Sequence, residues 1–135
     1  MAVINQNKVY DFKECVTVQG DATAVTTGYI TVLTIPARTV ITDVIVVGVT
    51  PGVGASNFSV GVTGTPAAFI LAHSAVDAVA DHVIGDLPSE RGSLLFSTTI
   101  IASATFAAAT DVIFTLSATE TTYLTVKIIL SGYRY

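Results

Sequence analysis

Asp111-Val-Ile-Phe-Thr-Leu-Ser117 and Leu124-Thr-Val-Lys-Ile-Ile-Leu-Ser-Gly-Tyr-Arg-Tyr135 are the two runs whose reading decides the fold. In the first, Val112, Phe114 and Leu116 alternate with Ile113, Thr115 and Ser117. In the second, Leu124, Val126, Ile128 and Leu130 alternate with Thr125, Lys127, Ile129 and Ser131. Side chains on a strand point to opposite faces with period two, so each run is a strand with one buried face. The polar break at residues 119–122 joins them as a predicted hairpin. A hairpin is marginal alone, so further strands must cover its apolar face. The chain therefore reads as all-β: an antiparallel two-sheet sandwich, jelly-roll-like, with about eight strands and at most one short helix.

Upstream, the β runs are short and punctuated. Residues 15–20 read as a first strand closed by the turn pair Gly20-Asp21. The β-formers Tyr29, Ile30, Val32, Leu33 and Ile35 give a second strand, which Pro36 ends because it lacks an amide donor. Residues 36–39 then turn into the strongest β run, 40–50, where apolar residues crowd both faces. That predicts a strand buried on both sides, or one with its outer face at a subunit contact. In residues 57–64, Phe58, Val60 and Val62 alternate with Ser59, Gly61 and Thr63. Residues 74–83 are the one helical candidate: Ser74 is an acceptable N-cap, and Ala75, Val76, Ala78, Val79, Ala80 and Val83 could share a stripe. At ten residues such a helix is marginal, and a loop is the competing reading. Residues 85–92 are the most polar loop.

Residues 1–14 differ from the rest, carrying Lys8, Asp11, Lys13 and Glu14 and little periodicity. They read as an N-terminal arm, or as an edge strand centred on residues 9–12, preceding a sandwich domain over residues 15–135. The arm is either a loose terminus or a segment that docks on a neighbour.

Composition limits the function classes. A chain of 135 residues is one domain and large enough for a core without metal or disulfide staples. Charged residues are only 12% of the chain, against about 25% in typical domains. A surface so poor in charge is expected to face protein over part of its area. The net charge of −4 and the dispersal of Lys8, Lys13, Arg38, Arg91, Lys127 and Arg134 along the sequence argue against a nucleic-acid partner. The lone Cys15 makes no intrachain disulfide and reads as a small buried hydrophobe. The polar start carries no signal peptide, so synthesis in a cytoplasm is expected. Residues 92–110 are uncharged, but their Thr and Ser favour strands over a membrane span.

No catalytic, cofactor-binding or metal constellation is expected. His73, His82, Asp77, Asp81 and Asp86 are the only metal candidates, and their spacing is not that of a closed site. The glycines of residues 48–56 lack the lysine of a phosphate loop and serve a turn. No serine or carboxylate pair has the surround that acid–base or nucleophilic chemistry needs, so an enzyme is not expected. The interface candidates are Val9, Tyr10, Phe12, Arg38, Glu90, Arg91, Tyr133, Arg134 and Tyr135, since aromatics and arginine are enriched where proteins meet.

Residues 33–47, Leu-Thr-Ile-Pro-Ala-Arg-Thr-Val-Ile-Thr-Asp-Val-Ile-Val-Val, resemble a pattern of small phage virion proteins in which Ile/Val-Pro-Ala-Gly precedes a valine-rich strand. Phe58-Ser-Val-Gly-Val-Thr-Gly64, Ala68-Phe-Ile70 and the closing Leu124-Thr-Val-Lys-Ile-Ile-Leu-Ser-Gly-Tyr133 continue the likeness. Arg38 stands where the pattern has glycine, and the acidic residue common after Val60-Gly61 is absent. The chain thus resembles the head decoration, or capsid cement, proteins of tailed bacteriophages. The resemblance implies a structural virion protein of jelly-roll type. It implies a homotrimer on the outer surface of an icosahedral head that bridges and stabilises major capsid protein subunits, with no cofactor and no membrane. A tail-fibre or tail-tip sandwich binding a receptor or carbohydrate is the alternative, resting on Tyr10, Tyr29, Tyr123, Tyr133 and Tyr135.

Overall fold

The two C-terminal runs are strands, but they are not partners. In a computed structural model describing residues 8–19, 28–53, 56–97, 100–101, 103–117 and 124–135, they sit in opposite sheets. The described strands are β1 (Tyr10–Gln19), β2 (Gly28–Ile35), β3 (Thr39–Thr50), β4 (Asn57–Val62), β5 (Thr65–Ser74), β6 (Val83–Ile84), β7 (Phe96–Ser97), β8 (Ile100–Ile101), β9 (Ala104–Phe106), β10 (Thr110–Leu116) and β11 (Thr125–Arg134). One sheet has the order β1-β11-β3-β6, with β9 also on β3. The other has the order β2-β10-β4-β5, and β7 pairs with β8 in a small ribbon. All pairings are antiparallel. From β1 to β4 the chain alternates between the sheets, as in a jelly roll.

β11 is the spine of its sheet. It pairs with β1 over ten positions, from Tyr10↔Arg134 to Gln19↔Thr125, and with β3 on its other edge. β10 plays the same part opposite, between β2 and β4. The inward face read from the sequence is the buried one: Val112, Phe114, Leu116, Leu124, Val126, Ile128 and Leu130 all lie in the core. The hairpin expectation is the correction. Period two says which side chains face inward but not which strand lies beside them, and the chain changes sheet between Ser117 and Leu124. The expected turn at Gly20-Asp21 and the break at residues 119–122 lie outside the described residues.

Parity also corrects Cys15. Phe12 and Val18 of β1 face the core, so the odd-numbered Cys15 faces out and is exposed. β3 resolves the two readings of its apolar crowding: Ile41, Val44, Val46 and Gly48 are buried, while Ile45 and Val47 are half-buried on the outer face. The helical candidate is absent. Residues 75–77 form one 3-10 turn that buries Ala75, Ala78 is also buried, and Val76, Val79 and Val83 are exposed. Gly48 directs this: its N–H donates to the His82 carbonyl at 2.8 Å, and its carbonyl accepts the Asp81 N–H at 2.9 Å. Its missing side chain leaves room for the backbone of Ala78 and Val79, which close the end of the sandwich.

Candidate functional site: a basic, aromatic end

Three distant pieces of sequence converge at one end of the sandwich: the start of β1, the turn between β2 and β3, and the end of β11. The register fixes this, because Arg134 lies opposite Tyr10 on one side and Thr39 on the other. Pro36 ends β2, and the Thr39 hydroxyl donates to the Pro36 carbonyl at 2.7 Å, closing the turn. Arg38 sits in that turn at φ 60°, a left-handed conformation that glycine adopts without strain. This is the position where the resembling phage proteins carry glycine, so the turn geometry accounts for their residue. Here Arg38 is tied in place by its neighbours. Its carbonyl accepts the Tyr135 N–H at 3.0 Å, and its guanidinium lies 5.5 Å from the centroid of the Tyr135 ring, within cation–π range.

A groove of about 360 Å³ opens among Tyr10, Asp11, Arg38, Arg134 and Tyr135. A second, of about 540 Å³, runs beside it, with Phe12, Leu33 and Pro36 among its lining and Lys13 and Glu14 at its wall. The fold thereby collects Lys8, Lys13, Arg38 and Arg134 at one end, against the carboxylates of Asp11, Glu14 and Asp111, the last of which accepts the Thr34 hydroxyl at 2.6 Å. The sequence scattered these cations; the register brings them together, which corrects the reading of a dispersed basic set. The expected end of the arm after Glu14 falls inside β1, where Glu14 lies opposite Leu130.

Of the interface candidates, Val9, Tyr10, Arg38, Tyr133, Arg134 and Tyr135 share this end and are exposed. The other three are placed elsewhere. Phe12 is a core residue at 8% exposure. Glu90 is committed inside the chain, its Oε2 accepting the Gly85 N–H at 2.7 Å. Arg91 is buried to the same degree as Phe12, and its Nη2 donates to Asp43 Oδ1 at 2.6 Å, while its Nε finds no hydrogen-bond partner within the chain. Asp43 itself is well exposed. The pair is therefore asymmetric. Removing the buried cation lets the carboxylate rehydrate, whereas removing the carboxylate strands a buried guanidinium. We expect Asp43→Ala to lower unfolding free energy by about 3 kcal/mol and Arg91→Met by about 1 kcal/mol or less. Urea denaturation of the two variants checks the order; equal costs would show that Arg91 is well hydrated.

At the opposite end of β3 the two histidines come near each other. The His73 and His82 ring centroids are 6.5 Å apart, and His73 Nε2 is 3.5 Å from Asp77 Oδ2. Among the described residues no group of three or more His, Cys, Asp or Glu side chains is placed to hold a metal ion. Among the same residues no helix is long and apolar enough to cross a membrane.

These features define a class, an antiparallel two-sheet sandwich with one basic, aromatic end. No sequence family and no curated protein matches the chain. Two solved structures share its fold. A chain of the acidic stable capsid structure of Helicobacter pylori bacteriophage KHP30 is 13% identical, with a TM-score of 0.52 covering 93% of this chain and 93% of that one. A chain of the cyanophage Pam1 capsid asymmetric unit is 14% identical, with a TM-score of 0.53 covering 100% of this chain and 93% of that one. At these identities the likeness is one of fold.

Proposed function

We propose that this chain is a structural, non-enzymatic protein of a phage virion. It decorates the outer surface of an icosahedral head, as a homotrimer that bridges major capsid protein subunits and stabilises the shell. The observation that carries this reading is the end-to-end match of its fold to chains of two phage capsids. The low charge and the sequence resemblance support it independently. The basic, aromatic end supplies a docking surface: rigid tyrosines and arginine are the residues that dominate protein contacts, and Arg38 is already held on Tyr135. Three such ends on one trimer would reinforce one another through effective concentration. The partner is protein rather than nucleic acid, because DNA stays inside the shell.

Co-sedimentation with shells purified from particles lacking this protein tests the reading. The expected result is saturable binding at hundreds of copies per particle, with shells that resist heat or low salt better when decorated. Binding at a handful of copies, on tails, would favour the receptor- or carbohydrate-binding alternative. That alternative draws on the same exposed tyrosines, Tyr10, Tyr133 and Tyr135, around an open groove.

A further inference from the structure

Arg38 keeps a backbone conformation that its own side chain makes costly. At φ 60° a residue with a Cβ is strained and glycine is not. Stacking on Tyr135 offsets only part of this, because cation–π contacts are weakest at exposed sites. Strain that the surrounding fold holds in place points to function. What it achieves here is placement. The turn between β2 and β3 sets Arg38 next to Thr39, the register partner of Arg134, and both arginines line one groove with Tyr10, Asp11 and Tyr135.

Neither guanidinium is neutralised among the described residues. The ion pairs there are Arg91–Asp43 and His73–Asp77, and no carboxylate pairs with Arg38 or Arg134. Asp11 lines the groove without pairing with either, and Asp111 already accepts the Thr34 hydroxyl. Residues 1–7, which lead into Lys8, contain no acid. A guanidinium stacked on a ring keeps its N–H donors at its edge, where they can take a carboxylate side by side.

We propose that this groove takes one aspartate or glutamate side chain of the shell protein, clamped between Arg38 and Arg134. Two guanidiniums against the single carboxylate of Asp11 leave one positive charge in surplus. That balance suits a monoanion and not a dianionic phosphate. Tyr10 and Tyr135 add hydroxyl donors and apolar ring faces around the same space. The clamp rests on the shell-docking reading given above and names the chemistry the partner brings to it.

The probes are acetyl-Gly-Glu-Gly-amide, its glutamine counterpart and inorganic phosphate, titrated into the full chain at low salt. Two-dimensional NMR should show the glutamate peptide shifting the amides of residues 10, 38, 134 and 135. The glutamine peptide should bind at least tenfold more weakly, and phosphate no more tightly than the glutamate peptide. Arg38→Gly separates function from structure. Glycine relaxes the turn, so Tm should hold or rise while peptide affinity falls at least tenfold; Arg134→Gln should lower affinity to a similar degree. A glutamine peptide that binds equally well, phosphate that binds more tightly, or no shift with any probe would overturn the proposal. A lower Tm for Arg38→Gly would also overturn it, because the arginine would then be a structural clasp on Tyr135. Shells keep the two readings apart. If they hold Arg38→Gly as well as the wild type, the clamp fails and the capsid reading stands; peptide binding without any shell binding does the reverse.

Discussion

Val126→Asp should yield no folded protein. Val126 is fully buried near the start of β11, between Val18 of β1 and Gly48 of β3. A lone carboxylate there has no partner, and burying an unpaired charge or its protonated form costs several kcal/mol. Whole domains are stable by only about 5–15 kcal/mol. The loss therefore falls on the strand that holds its sheet together, since β11 bonds both β1 and β3. The control is one residue along. Lys127 points out and is exposed, so Lys127→Asp should change stability by less than about 0.5 kcal/mol. Far-ultraviolet circular dichroism and a urea titration separate the outcomes. A soluble, cooperatively unfolding Val126→Asp protein would show that the core lies on the other face of β11.

That prediction was within reach of the sequence because period two is a local signal. Each inward face of β10 and β11 was legible from seven or eight residues. What was illegible is non-local. Val112 and Val126 obey the same alternation whether their strands lie side by side or face each other across a core. The sheet change after Ser117 therefore left no trace in the pattern. The same reason hides the basic end. Lys8, Arg38 and Arg134 lie far apart in sequence, and only the registers Tyr10↔Arg134 and Thr39↔Arg134 bring them together. Residues 74–83 failed differently. Their apolar spacing suits a helix, but Gly48 offers its N–H and carbonyl to the backbone of His82 and Asp81. A tertiary contact thus overrode a weak local preference. Cys15 was misplaced for want of the parity of β1, which Phe12 and Val18 set.

The double reversal Arg38→Glu with Arg134→Glu should remove attachment to shells while leaving the fold intact. Both side chains are exposed and line the same groove, and neither is part of the core. Their replacement turns an end of four cations and three carboxylates (Asp11, Glu14 and Asp111) into one of two cations and five carboxylates. The fold should lose no more than the Arg38–Tyr135 stacking, about 0.5–1 kcal/mol at an exposed site. The effect on docking is larger because it is repeated. If each end loses about 1.4 kcal/mol, its affinity falls about tenfold. Three ends engaged at once on one rigid trimer multiply that factor to about a thousandfold. Wild-type attachment should also weaken as salt rises past about 0.15 M, where the screening length drops below about 8 Å. Occupancy on shells, read by co-sedimentation across a salt series, decides between the surfaces of the sandwich. Unchanged occupancy of the double variant, with no salt dependence in the wild type, would move the docking surface away from this end. The half-buried outer face of β3, with Ile45 and Val47, would then be the stronger candidate, because a contact made there is apolar and insensitive to screening.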